Sequence, residues 1–267
     1  MIVPPYLKKG DKVILVSPAK RLQSGLTQGI STLESWGLKV VLGEHVFSES
    51  DLFAGTDSER LSDLQSGLDD PNIKAVIMAR GGYGTTRILD DLDFSGFKKS
   101  PKWICGFSDV TVLLQRLVNE KVQAIHSTVG VLIGKAEHSE SDESLKKALF
   151  GDGISYSFKT TEENRSGIAL GSIVGGNLSM ICNSIGTSSE VNTNGKILFL
   201  EDVGEYLYHL DRMLVQLKRA GKFDQLVGLI IGKFSSMKDH QDTFGLMTEE
   251  VINYHLSEFD FPIAHGF

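Results

Sequence analysis

Short apolar segments alternate with amphipathic ones over the first 126 residues, and this alternation limits the possible folds more than any other feature of the chain. The amphipathic segments predict one helix from Leu22 to Trp36 and another after Glu59. The apolar segments are typical of strands that are buried on both faces of a parallel sheet. They are Lys12–Val16, Lys39–Leu42, Ile73–Ala79, Trp103–Phe107 and Val122–His126. We therefore predict an α/β fold with a doubly wound parallel sheet, whose ligands bind beyond the carboxyl ends of the strands.

The second half of the chain predicts another, smaller domain. Residues 137–164 are polar and charged and are expected to form a helix followed by a linker. Two further apolar strands, 196–200 and 226–232, then alternate with predicted helices at 206–220 and 248–256. We predict a Rossmann-like or flavodoxin-like domain at 1–150, a linker at 151–168, and a second, smaller, barrel-like α/β domain at 169–267.

Charge and composition narrow the expected partners. The 27 basic and 34 acidic side chains give a net charge of −7 without a basic cluster, so we expect no nucleic-acid partner. No apolar run is long enough to cross a bilayer and the first residues lack a signal-peptide core, which predicts a cytoplasmic protein with no membrane partner. The two cysteines and seven histidines lack metal-ligand spacing, so we expect neither a metal nor a cofactor.

The segment from Ile104 to Thr111 is the first candidate for chemistry. A strand runs through Gly106 and Phe107 into Ser108 and Asp109, and a helix follows without a loop. A serine on so tight a turn points its hydroxyl beyond the carboxyl edge of the sheet, near the first amides of the helix. Ser108 is therefore a candidate nucleophile. The alternative is that Ser108 or Asp109 only caps the helix.

Two other strand ends carry candidate residues. The turn from Arg80 to Gly84 lets backbone amides approach an oxyanion or a carboxylate, although its glycines could serve the shape of the turn alone. Its spacing does not fit a dinucleotide site. Glu201 and Glu205 follow an apolar strand, where an acid could orient a catalytic histidine, although either could be an ordinary helix-start acid.

Taken in order, these segments resemble the LD-carboxypeptidase family of serine peptidases over nearly the whole chain. The resemblance rests on 80–84, 106–111, Gly175-Gly176-Asn177-Leu178, 199–205, the entry residues 10–13 and the helix residues 208–214. It implies a cytoplasmic, metal-free hydrolase that removes the terminal D-alanine from the tetrapeptide of recycled cell-wall muropeptides, and it suggests a homodimer.

The resemblance also implies roles for particular residues. Ser108 is the expected nucleophile and Glu201 the acid that orients a histidine. The amides of Gly82 and Asp109 are expected to form the oxyanion hole. Arg80 and Asn177 are candidates for substrate contact.

The histidine of the family is expected a few residues beyond Phe267. We therefore expect the 267-residue chain to lack its general base and to be inactive or nearly so, because a serine hydroxyl without a base is a poor nucleophile. His265 precedes the Gly-Phe pair rather than following it, and His126 ends a core strand. We assign neither of them a catalytic role.

Two alternatives remain open from the sequence. One is the immunity-type branch of the same family, which cleaves peptide-nucleotide antibiotics and needs an aromatic platform for the base. Residues 137–164 offer Phe150, Tyr156 and Phe158 for it. The other is a non-catalytic module that binds a peptide. The amino acid preferred at the third peptide position is not predicted.

Overall fold

The computed structural model describes residues 1–159 and 161–267, and it divides the chain into two compact units, Met1–Ser155 and Tyr156–Phe267. The strands of the first unit are β1 (Lys12–Val16), β2 (Lys39–Leu42), β3 (Ile73–Met78), β4 (Trp103–Gly106) and β5 (Ile125–His126). Its helices are α1 (Thr27–Ser35), α2 (Asp57–Asp69), α3 (Thr85–Ile88), α4 (Ser95–Lys99), α5 (Thr111–Asn119) and α6 (Ser139–Phe150).

The first sheet has the strand order β2-β1-β3-β4-β5, and each neighbouring pair is parallel. The central strands are apolar and almost completely buried, since helices cover both faces of a sheet with this connectivity. The predicted doubly wound parallel sheet is confirmed. The turns that follow β1, β3, β4 and β5 therefore lie at one edge.

Two predicted elements of this unit are shorter than expected, because their ends pair elsewhere. Helix α1 begins at Thr27 rather than at Leu22, since Lys20 pairs with Phe53 and the Arg21 amide donates to the Leu52 carbonyl (3.1 Å). Strand β5 is reduced to two residues, because Val122 pairs instead with Ile2 near the start of the chain. Tertiary pairing thus overrides the local pattern at both positions.

The second unit holds a smaller parallel sheet in the order β6-β7-β8-β9. Its strands are β6 (Ile173–Asn177), β7 (Ile197–Val203), β8 (Gly228–Ser235) and β9 (Ile263–His265), and its helices are α7 (Leu178–Asn183), α8 (Leu207–Arg219) and α9 (Thr248–Leu256). The predicted second, smaller α/β unit is confirmed. The sequence pattern predicts neither β6 nor β9, of which β9 is only three residues long.

Arg165, within the residues predicted as a linker, is attached to the second unit. It pairs antiparallel with Ile263, and its guanidinium donates to carbonyls at the end of α9 and beyond, including that of Leu256 (3.2 Å). The domain bounds predicted from the sequence stay a prediction. Across 1–159 and 161–267, no helix combines the length and the apolar character needed to cross a membrane.

Candidate active site

Ser108 occupies a strained turn between β4 and α5. Phe107 is fully extended, and Ser108 then adopts a φ of 62°. This is the left-handed region, which residues other than glycine, asparagine and aspartate rarely enter. A short 3₁₀ turn, Ser108–Val110, leads directly into α5. The Ser108 side chain is half-buried at the carboxyl edge of the sheet. This backbone is the strand-to-helix elbow on which hydrolases present a nucleophile.

The local geometry does not support the helix-cap alternative. The residue that caps α5 is Val110, and neither it nor Phe107, which precedes the 3₁₀ turn, makes a side-chain capping bond. Asp109 instead turns away from its own helix and accepts a hydrogen bond from the Thr85 amide (2.8 Å). The Asp109 side chain is buried, at 1% exposure. It therefore joins the serine turn to the start of α3, which the sequence analysis missed.

The glycine turn after β3 lies against the serine. A methyl group on Gly81 would come within 3.2 Å of the Ser108 Cβ and 3.3 Å of the Phe107 carbonyl oxygen, so a larger residue would crowd the serine turn. Gly82 follows with a φ of +124° and is exposed. Within the described ranges, the Gly82 amide donates no backbone hydrogen bond, and the Asp109 amide belongs to the first turn of a helix, where amides lack an internal acceptor.

A buried arginine anchors the other end of the glycine turn. The Arg60 guanidinium on α2 donates to the Gly84 carbonyl (2.9 Å) and to the Pro18 carbonyl after β1. Its charge is balanced by Asp57, which also binds Arg87 on α3 (2.6 Å). The turns after β1 and β3 are thereby fixed to one helix. Arg60 is not identifiable from the sequence, because its α2 pattern is that of an ordinary amphipathic helix.

Arg80, a candidate for substrate contact, is half-buried at the same edge. Its guanidinium donates to the Arg21 carbonyl in the segment after β1 (2.8 Å). This bond uses one of its five N–H groups. In the first unit, Ser108, Asp109, Gly82 and Arg80 thus share the edge that the sequence predicted.

Glu201 lies near the end of β7, in register with Asn177 at the end of β6. The β7–β8 register shifts between Leu200 and Asp202. A Cβ at position 232 on β8 would lie 2.7 Å from the Phe199 ring and 3.3 Å from the Glu201 Cβ, so Gly232 leaves room for both side chains. Bulges of this kind re-aim side chains. Glu201 and Asn177 therefore come together, a contact that the sequence did not predict.

The Glu201 carboxyl is electrostatically unusual. Burial raises its pKa to about 7, the negative charge of Asp202 acts in the same direction, and a hydrogen bond from Asn177 opposes both. Its Oε1 is buried and meets no hydrogen-bond donor among the described residues. A buried acceptor of this kind is matched by a cationic or N–H donor such as an imidazole.

Glu205, the other candidate acid, is already paired. His209, one turn along α8, places its Nδ1 2.5 Å from Glu205 Oε2, and the Ser179 hydroxyl oxygen lies 3.3 Å from Oε1. The pair spans positions i and i+4, which face each other on a helix. Glu201 rather than Glu205 is thus the acid with a buried oxygen open to a new donor.

The two histidines considered from the sequence differ in placement. His126 is exposed at the end of β5, where it pairs with Gly106 of β4, and its ring lies edge-on to Phe107 (6.2 Å between centroids). His265 is buried in β9, aligned with Ile231 and through it with Leu200. Aligned residues of parallel strands share a face, so His265 points away from the face of Glu201. Within the two described ranges, no group of three His, Cys, Asp or Glu side chains is arranged to hold a metal ion.

Comparisons with known proteins agree with this arrangement. Residues 13–127 match the model of the LD-carboxypeptidase N-terminal domain, and residues 170–267 match that of the LD-carboxypeptidase C-terminal domain. The chain is 35% identical to a probable murein peptide carboxypeptidase of Bacillus subtilis (strain 168), over 99% of this chain and 85% of that protein.

Two solved structures are similar over both units. One is a muramoyltetrapeptide carboxypeptidase from Oxalobacter formigenes, with a TM-score of 0.86 and 28% identity over 96% of this chain and 87% of that chain. The other is a mutant of the microcin C7 self-immunity protein MccF in complex with adenosine monophosphate. It has a TM-score of 0.87 and 22% identity over 100% of this chain and 90% of that chain, a likeness that shows the fold alone.

Proposed function

Because the chain belongs to the LD-carboxypeptidase family, we propose that it is a serine carboxypeptidase that releases the terminal D-alanine from cell-wall tetrapeptides. Ser108 is the nucleophile and Glu201 the acid that orients the histidine. The left-handed backbone of Ser108, with glycine packed directly against it, is the observation that carries the proposal. A strained residue of this kind persists where the surrounding structure enforces it, as at catalytic elbows.

The reaction follows from the roles of these groups. The Ser108 hydroxyl attacks the carbonyl of the peptide bond before D-alanine and gives its proton to the histidine. The tetrahedral intermediate then breaks at its C–N bond, and the histidine passes that proton to the nitrogen of the departing D-alanine. The amides of Gly82 and Asp109 stabilise the oxyanion, at about 3 kcal/mol per donor. Water then hydrolyses the acyl-enzyme. No metal or cofactor takes part.

The acid has the properties that this reaction needs. Its raised pKa means that the buried carboxylate gains more from a neighbouring cation than an exposed one would, which favours the imidazolium formed in each step. None of the histidines within the described residues hydrogen-bonds to Glu201, so the imidazole is not assigned to a residue here. The expectation that residues 1–267 alone are inactive or nearly so stays a prediction.

D-alanine release from L-Ala-γ-D-Glu-meso-diaminopimelate-D-Ala tests the proposal. The full-length protein is expected to release D-alanine, Ser108→Ala to abolish release, and Ser127→Ala to preserve it. Ser127 is a matched control, because it follows β5 at the same edge and its hydroxyl donates to a backbone carbonyl. Release that survives Ser108→Ala would refute the proposal. The same assay on residues 1–267 measures the activity of this chain.

A second candidate, hydrolysis of peptide-nucleotide conjugates, draws on exposed aromatic side chains of the second unit. Tyr156 and Phe158 are 54% and 42% exposed, and both rings contact Phe267 edge-on. A nucleobase could stack on them. Preferred cleavage of a peptidyl nucleotide over the tetrapeptide, lost in Tyr156→Ala, would select this candidate. Binding of the tetrapeptide without cleavage by the full-length protein would instead select a peptide-binding module.

The partners and location form part of the same proposal. We propose a cytoplasmic homodimer that acts on recycled muropeptides, as the family resemblance implies. Light scattering during size-exclusion chromatography measures the assembly. Cell fractionation measures the location, and recovery of the protein outside the cytoplasm would refute that part.

A further inference from the structure

Asp202, next to the proposed acid, is a buried carboxylate with a complete set of hydrogen bonds. It is 3% exposed. Its Oδ1 accepts from the Asn177 side-chain amide (2.9 Å) and the Val203 amide (2.8 Å). Its Oδ2 accepts from the Ser179 amide (3.0 Å) and the Ser179 hydroxyl (2.8 Å). Every partner is a donor, so both carboxylate oxygens act as acceptors.

These bonds place Asp202 at the centre of the elements around Glu201. Asn177 ends β6, caps α7 through its Oδ1 to the Met180 amide (3.2 Å), and also hydrogen-bonds Glu201. Ser179 lies in the first turn of α7. Asp202 thus fixes the end of β6 and the start of α7, and Asn177, which contacts Glu201, lies where the two meet.

We propose that Asp202 positions Glu201. Asp202 holds the Asn177 amide between the two carboxylates, and it places a fixed negative charge beside the acid. This inference rests on the catalytic role of Glu201 proposed above. Asp202 does not touch substrate in this proposal. It acts through Asn177 and through its charge.

The charge has a defined consequence for the acid. Two neighbouring carboxylates disfavour ionisation of the less stabilised one, so burial and the Asp202 charge together raise the Glu201 pKa. A carboxylate held in this way gains most when an imidazolium forms next to it. The same negative charge acts on α7, where burial and then Asp202 raise the pKa of the Cys182 thiol to about 12.

The other charged groups near this end of the sheet are accounted for. Glu205, just before α8, and His209 on α8 form their own pair. Lys233 on β8 is exposed, which leaves its charge screened by solvent. Asp202 is therefore the charge whose removal should change the titration of Glu201 most.

Titration of the Glu side-chain carboxyls by ¹³C NMR, with Glu201→Gln to assign the resonance, tests the proposal without requiring activity. Glu201 in the wild-type protein is expected to titrate at about 7, and Asp202→Asn is expected to lower that midpoint, because it removes the neighbouring negative charge. Ser179→Ala is the matched control, because it removes one hydrogen bond to Asp202 and the longer contact with Glu205 but keeps the Asp202 charge. Its Glu201 midpoint should stay at the wild-type value.

Kinetics on the full-length enzyme supply the second readout. In Asp202→Asn the acid limb of kcat/KM should move to lower pH, because the Glu201 carboxyl ionises more readily, and the plateau should fall, because the Asn177 amide that contacts Glu201 is held less firmly. Ser179→Ala should leave the acid limb at its wild-type pH and should lower the plateau less than Asp202→Asn does. A Glu201 midpoint and kcat/KM profile in Asp202→Asn that match the wild type would overturn the positioning role. Retained D-alanine release in Ser108→Ala would instead refute the proposed function and leave the NMR result standing.

Discussion

Replacing Ser108 by glycine should stabilise the first unit relative to replacing it by alanine. At a φ of 62° an L-residue carries a conformational cost of about 1–2 kcal/mol, which glycine escapes. Glycine loses about 0.5–1 kcal/mol more chain entropy on folding than alanine does. The net expectation is that Ser108→Gly is more stable than Ser108→Ala by about 0.5–1 kcal/mol.

The control is the same pair of substitutions at Ser127, which lies outside the positive-φ region. There glycine should be less stable than alanine by about 0.5–1 kcal/mol, so the two sites should differ in sign. Urea unfolding followed by tryptophan fluorescence measures both, since both tryptophans, Trp36 and Trp103, belong to the first unit. If Ser108→Gly were less stable than Ser108→Ala by as much as glycine is less stable than alanine at position 127, the claim that the Ser108 backbone is strained would be refuted.

Three further outcomes follow from named contacts. Because the folded pKa of Glu201 is raised from 4.5 to about 7, its ionisation opposes folding. The stability of the wild-type protein should therefore fall as the pH rises from 4.5 to about 7. Measured by urea unfolding, Glu201→Gln should be more stable than the wild type at pH 8, by about 3 kcal/mol, but not at pH 4.5. A constant difference across the range would contradict this. Asp109→Ala leaves the Thr85 amide without its buried acceptor and should lower the free energy of unfolding by about 1–3 kcal/mol in the same assay. Asp109→Asn should lower it less, because its amide oxygen can still accept the hydrogen bond, and equal losses in the two variants would contradict the contact. Gly84→Ala would place its Cβ 2.7 Å from the Arg60 guanidinium, whereas Gly10→Ala, also at a positive φ, would place its Cβ with no atom within 4 Å. Gly84→Ala should therefore lower the melting temperature more than Gly10→Ala, and similar decreases would contradict a steric role for the Arg60 contact.

The sequence predicts the sheets well because their signal is local. Buried parallel strands are short apolar runs, and the turns that follow them must share an edge, so the placement of Ser108, Gly82 and Asp109 follows from alternation alone. Strand β9 gave no such signal, because it has only three residues. It pairs with β8, and Ile263 also pairs with Arg165 of a distant segment.

The supporting residues of the site could not be predicted in the same way. Arg60 and Asp202 look like ordinary surface charges in the sequence, yet each is buried and binds groups from other elements. Their roles depend on contacts between segments far apart in the chain. The side-chain hydrogen bond of Asp109 is of the same kind, because its partner Thr85 lies 24 residues away. A pattern within one segment carries no information about such contacts.

Detection of an acyl-enzyme on Ser108 tests the central claim most directly. The full-length protein is mixed with the tetrapeptide, quenched with acid and digested, and the peptides are analysed by mass spectrometry. The account predicts that the tripeptide acyl group is found on the peptide containing Ser108 and disappears in Ser108→Ala together with D-alanine release. D-alanine release without an acyl group on Ser108, or unchanged in Ser108→Ala, would contradict it.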